Sequence, residues 1–358
     1  QRSRSPQKPH DFVLIFGGYY TIIDPDFDGW IEGASFAAIA DGKFTSTLLK
    51  YNKAGAVVHT ASQSTSVPTQ AQSGHRSNYS VELDVTTADS SVDAGDFSYL
   101  SNFMTGHDYQ ALDGNEYTLS FWVYSSVTGT HSAAFTNSGK DRSYVAEYSV
   151  SAANTWENKT VTLTFNASGG TFNFLTGVGL EIRFAQMCGS TFQTSSTGSW
   201  QTGNFICSSN QVNGVGTVGN KFRIAQLMLN QGPNALPFNK PLTSTVNDQV
   251  AYYFQRHGNE IIGEYLAAGH CQNSSKAKGV LVYSRDMRVG PTVTFSGQTD
   301  FDVFQGASFV ASVVMGTGQT TTKKAVIAAD ATNICVQNGG LIIVTKIINA
   351  YVDLDARH

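Results

Sequence analysis

Polar and apolar side chains alternate with a period of two along most of this chain. The segments VELDV (81–85), YTLSFWVYSS (117–126), HSAAFTN (131–137), RSYVAEYSV (142–150), KTVTLTFN (159–166), GLEIRFAQM (179–187) and KFRIAQLML (221–229) all follow it. That rhythm predicts strands with one buried and one wetted face, as antiparallel sheets provide. Turn clusters DGN, VTGT, SGKD, NASGG and STGS separate the segments. Strands of this length and spacing predict a β-sandwich.

The pattern changes after NQGPNALPFNKPLT (230–243), where three prolines mark a boundary. VNDQVAYYFQRHG (246–258) is the single convincing helix. Asn247 is its expected cap, Val250, Tyr253 and Phe254 share a face, and Gly258 ends it. Strands then resume at 279–287, 291–297, 308–316, 323–329 and 340–356. The expected organisation is an arm over 1–20, a sandwich over 21–240 and a smaller α+β or β-sandwich domain over 241–358, mainly β throughout.

Composition sharpens this picture. Charged residues are 14% of 358, against about 25% in an ordinary globular chain. Apolar residues at 41% and aromatics at 11% leave ample material for a core. A net charge of −4 argues against nucleic-acid binding, and no apolar run reaches the roughly 18 residues of a membrane span. The basic stretch QRSRSPQKPH reads as a frayed terminus or, alternatively, a docking arm. Cys188, Cys207, Cys271 and Cys335 lack metal-ligand spacing, so reduced thiols are the simplest expectation, with a Cys188–Cys207 bridge as the alternative.

Few catalytic signals survive. GVGTVG (214–219) precedes a strand, so no helix N-terminus is available for a pyrophosphate. There is no G-x-S-x-G or H-E-x-x-H. Glu82, Asp84, Glu147 and Glu181 are the acids a glycosidase pair would need; Glu82 and Asp84 share one face of one strand and the other two lie on other strands, so the sequence brings no pair into one cleft. The expectation is a non-enzyme. Sequons at Asn78, Asn158, Asn166 and Asn273 are what chance gives in a Ser/Thr-rich chain.

The run beginning NEYTLSFWVYSS (115 onward), then GSTFQTSSTGSWQTGNFICSSNQVN, FRIAQLMLNQGPNALPF, the helix VAYYFQRHG and the close AYVDLDARH occur in that order. Together they resemble the jelly-roll, carbohydrate-binding-module-like region of bacteriophage tail and fibre proteins, over most of the chain from about residue 27. The resemblance implies a jelly roll within a virion protein that assembles in the bacterial cytoplasm, touches other virion proteins and a bacterial surface glycan, and forms a homotrimer. A structural or decoration component without sugar binding, and a glycan-degrading tailspike-like enzyme, are the alternatives. Residues 1–26 depart from the pattern.

Two sets of site residues follow. In 117–126, Leu119, Phe121 and Val123 form one face, so Trp122 and Tyr124 form the other. With Arg142, Tyr144 and Arg183 they make a candidate sugar groove, because aromatic rings match the CH faces of sugars and polar groups take the hydroxyls. Trp200 and Tyr109 are secondary candidates. In IIDPDFDGWIEG (22–33), Asp24, Asp26, Asp28 and Gly29 match the opening of a calcium loop, yet Ser35 stands where that loop wants a bidentate Glu. The resemblance reads Asp28 and Trp30 instead as the start of the first core strand, with Trp30 inward and Asp24 and Asp26 in the preceding turn. It also implies an acid near the last strand, where AQLMLNQG offers only Asn230. No cofactor is expected beyond that calcium alternative. Finally, GLIIVTKIINAYVDLDARH carries more apolar surface than an edge strand should expose, so it is buried either within its domain or between subunits.

Overall fold

The structure is a computed structural model describing residues 22–306, 308–311, 314–330 and 336–357. The arm over 1–20 and Cys335 lie outside the described residues. Two six-stranded antiparallel sheets form a jelly-roll sandwich. The first runs, in spatial order, Ser35–Phe36, Val58–Ser64, Ser80–Thr87, Lys221–Gln231, Glu116–Ser125 and Thr155–Thr164; the second runs Trp200–Thr202, Arg142–Val150, Gly129–Asn137, Val178–Cys188, Phe97–Thr105 and Leu49–Ala54. The chain passes from one sheet to the other between 116–125 and 129–137, returns at 155–164, and crosses again to 178–188.

Alternation sets which side chains meet in the middle. Leu119, Phe121 and Val123 face Leu180, Ile182 and Phe184, all buried. Phe121 meets Phe184 at 5.0 Å and Tyr148 at 5.2 Å between ring centroids, edge to face. Burial of each such ring stabilises the sandwich by roughly 1.5–3 kcal/mol.

Beyond residue 240 a second core forms around Phe301, Ile327, Ile343 and Leu354. It lies between a three-stranded sheet (Phe254–Gly258, Tyr351–Asp355, Thr292–Phe295) and a seven-stranded one. The latter runs Ser308–Ala311, Phe301–Gln305, Gly340–Thr345, Tyr265–Asn273, Lys276–Val282, Lys324–Asp330 and Val314–Thr320.

Two expectations are corrected here. The helix spans Thr243–Ala251, not 246–258, and Leu242 rather than Asn247 stands at its N-cap. Val246 and Val250 are its buried residues, while Phe254–Gly258 pairs with Tyr351–Asp355 as a strand. The aromatic, alternating end of the segment found a partner about a hundred residues away, and that pairing outweighs local helix propensity. Residues 28–33 form no strand. Trp30 does turn inward against the core and donates Nε1–H to Phe27 O at 3.0 Å. The apolar 340–356 segment is two strands in two sheets. Leu341, Ile343, Val344, Val352 and Leu354 are buried within the chain itself, the first of the two expected placements, while Ile347 and Ile348 between the strands are 44% and 55% exposed.

Candidate functional site

The five residues read as one groove fall on two sheets. Trp122 and Tyr124 do lie on the outer face of the first sheet. There Arg223 stacks 4.1 Å over the Tyr124 ring and Trp156 packs against it at 5.7 Å. Arg223 is in turn held by Glu82, which also binds Lys221 at 2.8 Å; Lys221 reaches Asp84 at 2.8 Å. The Tyr124 ring face is therefore already occupied. Tyr144 is in the core of the second sheet, between Phe135 (6.1 Å) and Trp200 (5.8 Å). Its parity puts it on the face that the first sheet covers, where its hydroxyl donates to Thr162 O at 3.4 Å. Arg142 lies half-buried beside Gly169 and Gly170, at a sandwich end. Tyr109 is fully buried, stacked on Phe172 at 5.5 Å, and the Trp200 indole donates to Thr164 O at 2.9 Å.

Arg183 points away from the core, as alternation requires, yet it is 0% exposed. The chain from Gly189 to Asn213 lies over that part of the sheet. Ser143 Oγ donates to Gly203 O at 2.6 Å, the Ser208 N–H donates to Ser132 Oγ at 3.0 Å, and Arg183 donates to Asn204 Oδ1 at 2.7 Å. A Cys188–Cys207 disulfide, with Cα atoms 6.3 Å apart, pins the cover to the strand end. The reduced-thiol expectation is thus corrected, since no free cysteine occurs among the described residues. The four acids also separate. Glu181 sits beneath this cover on Arg183 (2.8 Å), Glu147 is exposed and accepts from Asn210, and Glu82 and Asp84 are on the opposite sheet.

The three aspartates near the start do not converge as one set of ligands among the described residues. Both oxygens of Asp24 accept backbone N–H groups, from Asp28 and Gly29, at 3.0 Å each. Gly29 leaves room for this approach: a Cβ there would lie 3.0 Å from Asp24 Oδ2. Asp26 and Asp28 share the Lys240 ammonium, and Asp26 also meets His75 at 3.3 Å. A lysine from the interdomain stretch supplies the positive charge a metal would have brought. No cluster of three or more ligating side chains exists among the described residues. Burial pushes the Asp24 carboxyl from its ordinary 3.8 up to about 7, against the lowering pull of its two N–H donors. A raised folded-state value favours the protonated acid. Its stabilising contribution is full below about pH 3.8 and is lost as pH climbs through about 7. Wild type is therefore expected to lose stability relative to Asp24→Asn between pH 4 and pH 8 in urea titrations. Parallel curves for the two proteins would contradict this.

The feature with the geometry of a binding site was not legible in the sequence. A cleft of about 750 Å³ opens where the sandwich meets the C-terminal helix, within the ~300–1,000 Å³ of typical ligand pockets. Its aromatic walls are Phe44, Phe103, Tyr117, Tyr252 and Tyr253. Asn102, His107, Asp108, Gln231, Gln249 and Arg285 add donors and acceptors around them. The strand Phe97–Thr105 contributes Asn102 and Phe103, and Thr105 caps the short helix Gly106–Gln110 that carries His107 and Asp108. Arg285 is fixed by Asp248 at 2.5 Å and lies 5.5 Å from the Tyr252 ring.

Three arginines hold the two sides of the cleft in register. Arg357 lies between the rings of Phe44 (4.0 Å) and Phe254 (4.2 Å) and binds Glu32 at 2.6 Å and Asp355 at 2.7 Å. Burial alone would lower its pKa; the Asp355 and Glu32 carboxylates reverse that and hold it above the ordinary arginine value. Arg256 bridges Asp353 and Ile31 O, each at 2.7 Å, and Arg288 reaches Thr176 O across the junction. The cleft residues come from eight separated segments, so no spacing marks them. The one available signal was the aromatic pair Tyr252–Tyr253, which was read as part of a helix.

No protein-family model matches the sequence, and no curated protein matches it. Among solved structures, partial likenesses include the enzymatically active domain of tailspike protein 4 of bacteriophage CBA120, at 15% identity and TM-score 0.31, over 55% of this chain and 21% of that one. Two others are carbohydrate-binding modules. TmCBM61 in complex with β-1,4-galactotriose shares 11% identity at TM-score 0.28, over 55% of this chain and 99% of that one. The family 11 module of the Clostridium thermocellum cellulase Lic26A-Cel5E shares 9% at TM-score 0.29, over 57% and 99%. The matched region spans about a fifth of the tailspike chain. At this level, likeness to phage and sugar-binding proteins is a likeness in shape and not evidence of shared function.

Proposed function

We propose that this chain binds a glycan in the cleft between its sandwich and its C-terminal helix. The observation that carries the reading is the pairing of five aromatic walls with a rim of amides, one acid and two arginines. Sugar rings present apolar CH faces flanked by hydroxyls, and this combination answers both. The outer sheet face with Trp122 is the weaker candidate, because Arg223 and Trp156 already cover the neighbouring Tyr124.

The finer reading is a virion appendage, tail-fibre-like and homotrimeric, that attaches to host-surface glycan. The ordered motifs from 115 to 358 that resemble phage tail and fibre proteins support it. The Cys188–Cys207 bridge is consistent with service outside the reducing cytosol.

A glycan array of bacterial surface oligosaccharides, followed by calorimetry on the best hit, tests the proposal. Tyr252→Ala and Phe103→Ala are expected to weaken binding at least tenfold, about 1.4 kcal/mol, while Trp122→Ala leaves it unchanged. No hit on the array sinks glycan binding. A loss confined to Trp122→Ala moves the site to the outer sheet face.

A further inference from the structure

The cations at the cleft already serve other groups of the same chain. Arg357 is nearly buried and binds Glu32 at 2.6 Å and Asp355 at 2.7 Å. Arg285 Nη1 binds the Asp248 carboxylate at 2.5 Å and donates to the Asp248 carbonyl as well. These are the two arginines of the lining. Lys50 lies against two wall rings, 5.8 Å from the centroid of Phe44 and 5.7 Å from that of Phe103, and is outside the lining itself. An incoming anion would have to draw one of these cations away from a carboxylate or an aromatic face.

The groups still open are acceptors and amides. Gln249, on the helix Thr243–Ala251, has its Oε1 buried with no hydrogen-bond partner among the described residues. A buried acceptor left in that state costs free energy until a donor arrives. Asp108, on the sandwich side, accepts from Thr105 Oγ1 at 2.5 Å through Oδ2 and forms no ion pair among the described residues. It is exposed, as are His107 beside it and the Gln231 amide. A sugar hydroxyl both donates and accepts, so it can give its proton to Gln249 or to Asp108 and still accept from an amide. A carboxylate or phosphate only accepts. It would leave Gln249 Oε1 unpaired, meet the like charge of Asp108, and give up its hydration among aromatic walls.

We propose that the cleft selects uncharged glycans over acidic ones, with Gln249 and Asp108 taking hydroxyl protons from its two walls. This rests on the glycan reading above and names the class of sugar. Asp108 sets the discrimination by charge, and Gln249 sets the affinity for the hydroxyl. Because Asp108 is exposed, the discrimination weakens as salt is added.

The test is an array that carries each neutral oligosaccharide beside its uronate, sialylated and phosphorylated counterparts, read with the full chain at low and high salt. Neutral members are expected to bind at least tenfold more tightly than their acidic counterparts at low salt. Asp108→Asn should shrink that preference at least tenfold by admitting the acidic members, with little change for the neutral ones. Gln249→Leu should weaken the neutral members at least tenfold and leave the thermal melt unchanged. A purely structural role for Asp108 would lower binding of both classes together and would not alter their ratio. Acidic members bound as tightly as neutral ones, or a preference indifferent to Asp108→Asn, overturns the proposal and leaves glycan binding in the cleft standing. An array without any hit overturns both readings.

Discussion

Replacing Arg183 with Met is expected to destabilise the sandwich by about 3–5 kcal/mol, because it leaves a buried carboxylate without its partner. The Arg183 guanidinium binds Glu181 at 2.8 Å and Asn204 at 2.7 Å, and lies 5.1 Å from the Tyr99 ring. Burial would raise the Glu181 pKa, but the charge and hydrogen bond of Arg183 outweigh it and hold the acid below its ordinary value. In wild type the pair therefore stabilises above the unfolded carboxylate pKa and is lost as pH falls. In the variant the sign reverses. Glu181 keeps the Ser101 hydroxyl and Lys140, 3.9 Å away and half exposed, so burial dominates and the loss grows as pH rises past about 4.5. All four tryptophans (Trp30, Trp122, Trp156 and Trp200) lie in the sandwich, so their fluorescence in urea isolates its unfolding. Glu181→Gln combined with Arg183→Met should recover much of the loss. A single-variant cost under about 1 kcal/mol at pH 8 would mean the pair is solvated, and Arg183 would return to the set of sugar-binding candidates.

Arg357→Leu is expected to release the C-terminal part from the sandwich. The side chain is nearly buried, makes two ion pairs, donates to Thr47 O at 3.1 Å and lies between two rings. Breaking such a buried pair costs about 3–5 kcal/mol, and a desolvated cation–π contact adds roughly 2 kcal/mol. Glu32 keeps Lys43 at 2.6 Å, so the cost should fall toward the lower end. Calorimetry should show the melting of the C-terminal part moving to lower temperature while the tryptophan-reported transition stays in place. Glycan affinity should fall with it, since Phe44 and Arg357 both line the cleft. Unchanged melting together with unchanged affinity would show that Arg256 and Arg288 suffice to hold the junction.

These two arginines illustrate how local and long-range information divide. Alternation against Ile182 and Phe184 correctly aimed Arg183 away from the core. It carried nothing about the Gly189–Asn213 cover, because a loop's path over a sheet depends on contacts such as Ser143 with Gly203. The same logic held for Trp122, placed on the outer face as its parity demands, and failed for Tyr144, because parity chooses between two faces without saying which one the partner sheet will cover. The aspartates at 24, 26 and 28 looked like metal ligands until Lys240, far along the chain, was seen to bind two of them.

By itself the sequence determined that this is a mainly β chain, and it placed most strands of the sandwich to within a few residues. Period-two patterning is a property of consecutive side chains, and 142–150 and 221–229 needed nothing else. The tertiary structure alone decided the order of strands, the split of 246–258 into helix and strand, the covering of Arg183, and the cleft between Phe103 and Tyr252. Each of these depends on groups that are remote in sequence and meet only when the chain closes on itself. Once they meet, burial and pairing energies exceed the fractions of a kcal/mol per residue that local preference supplies.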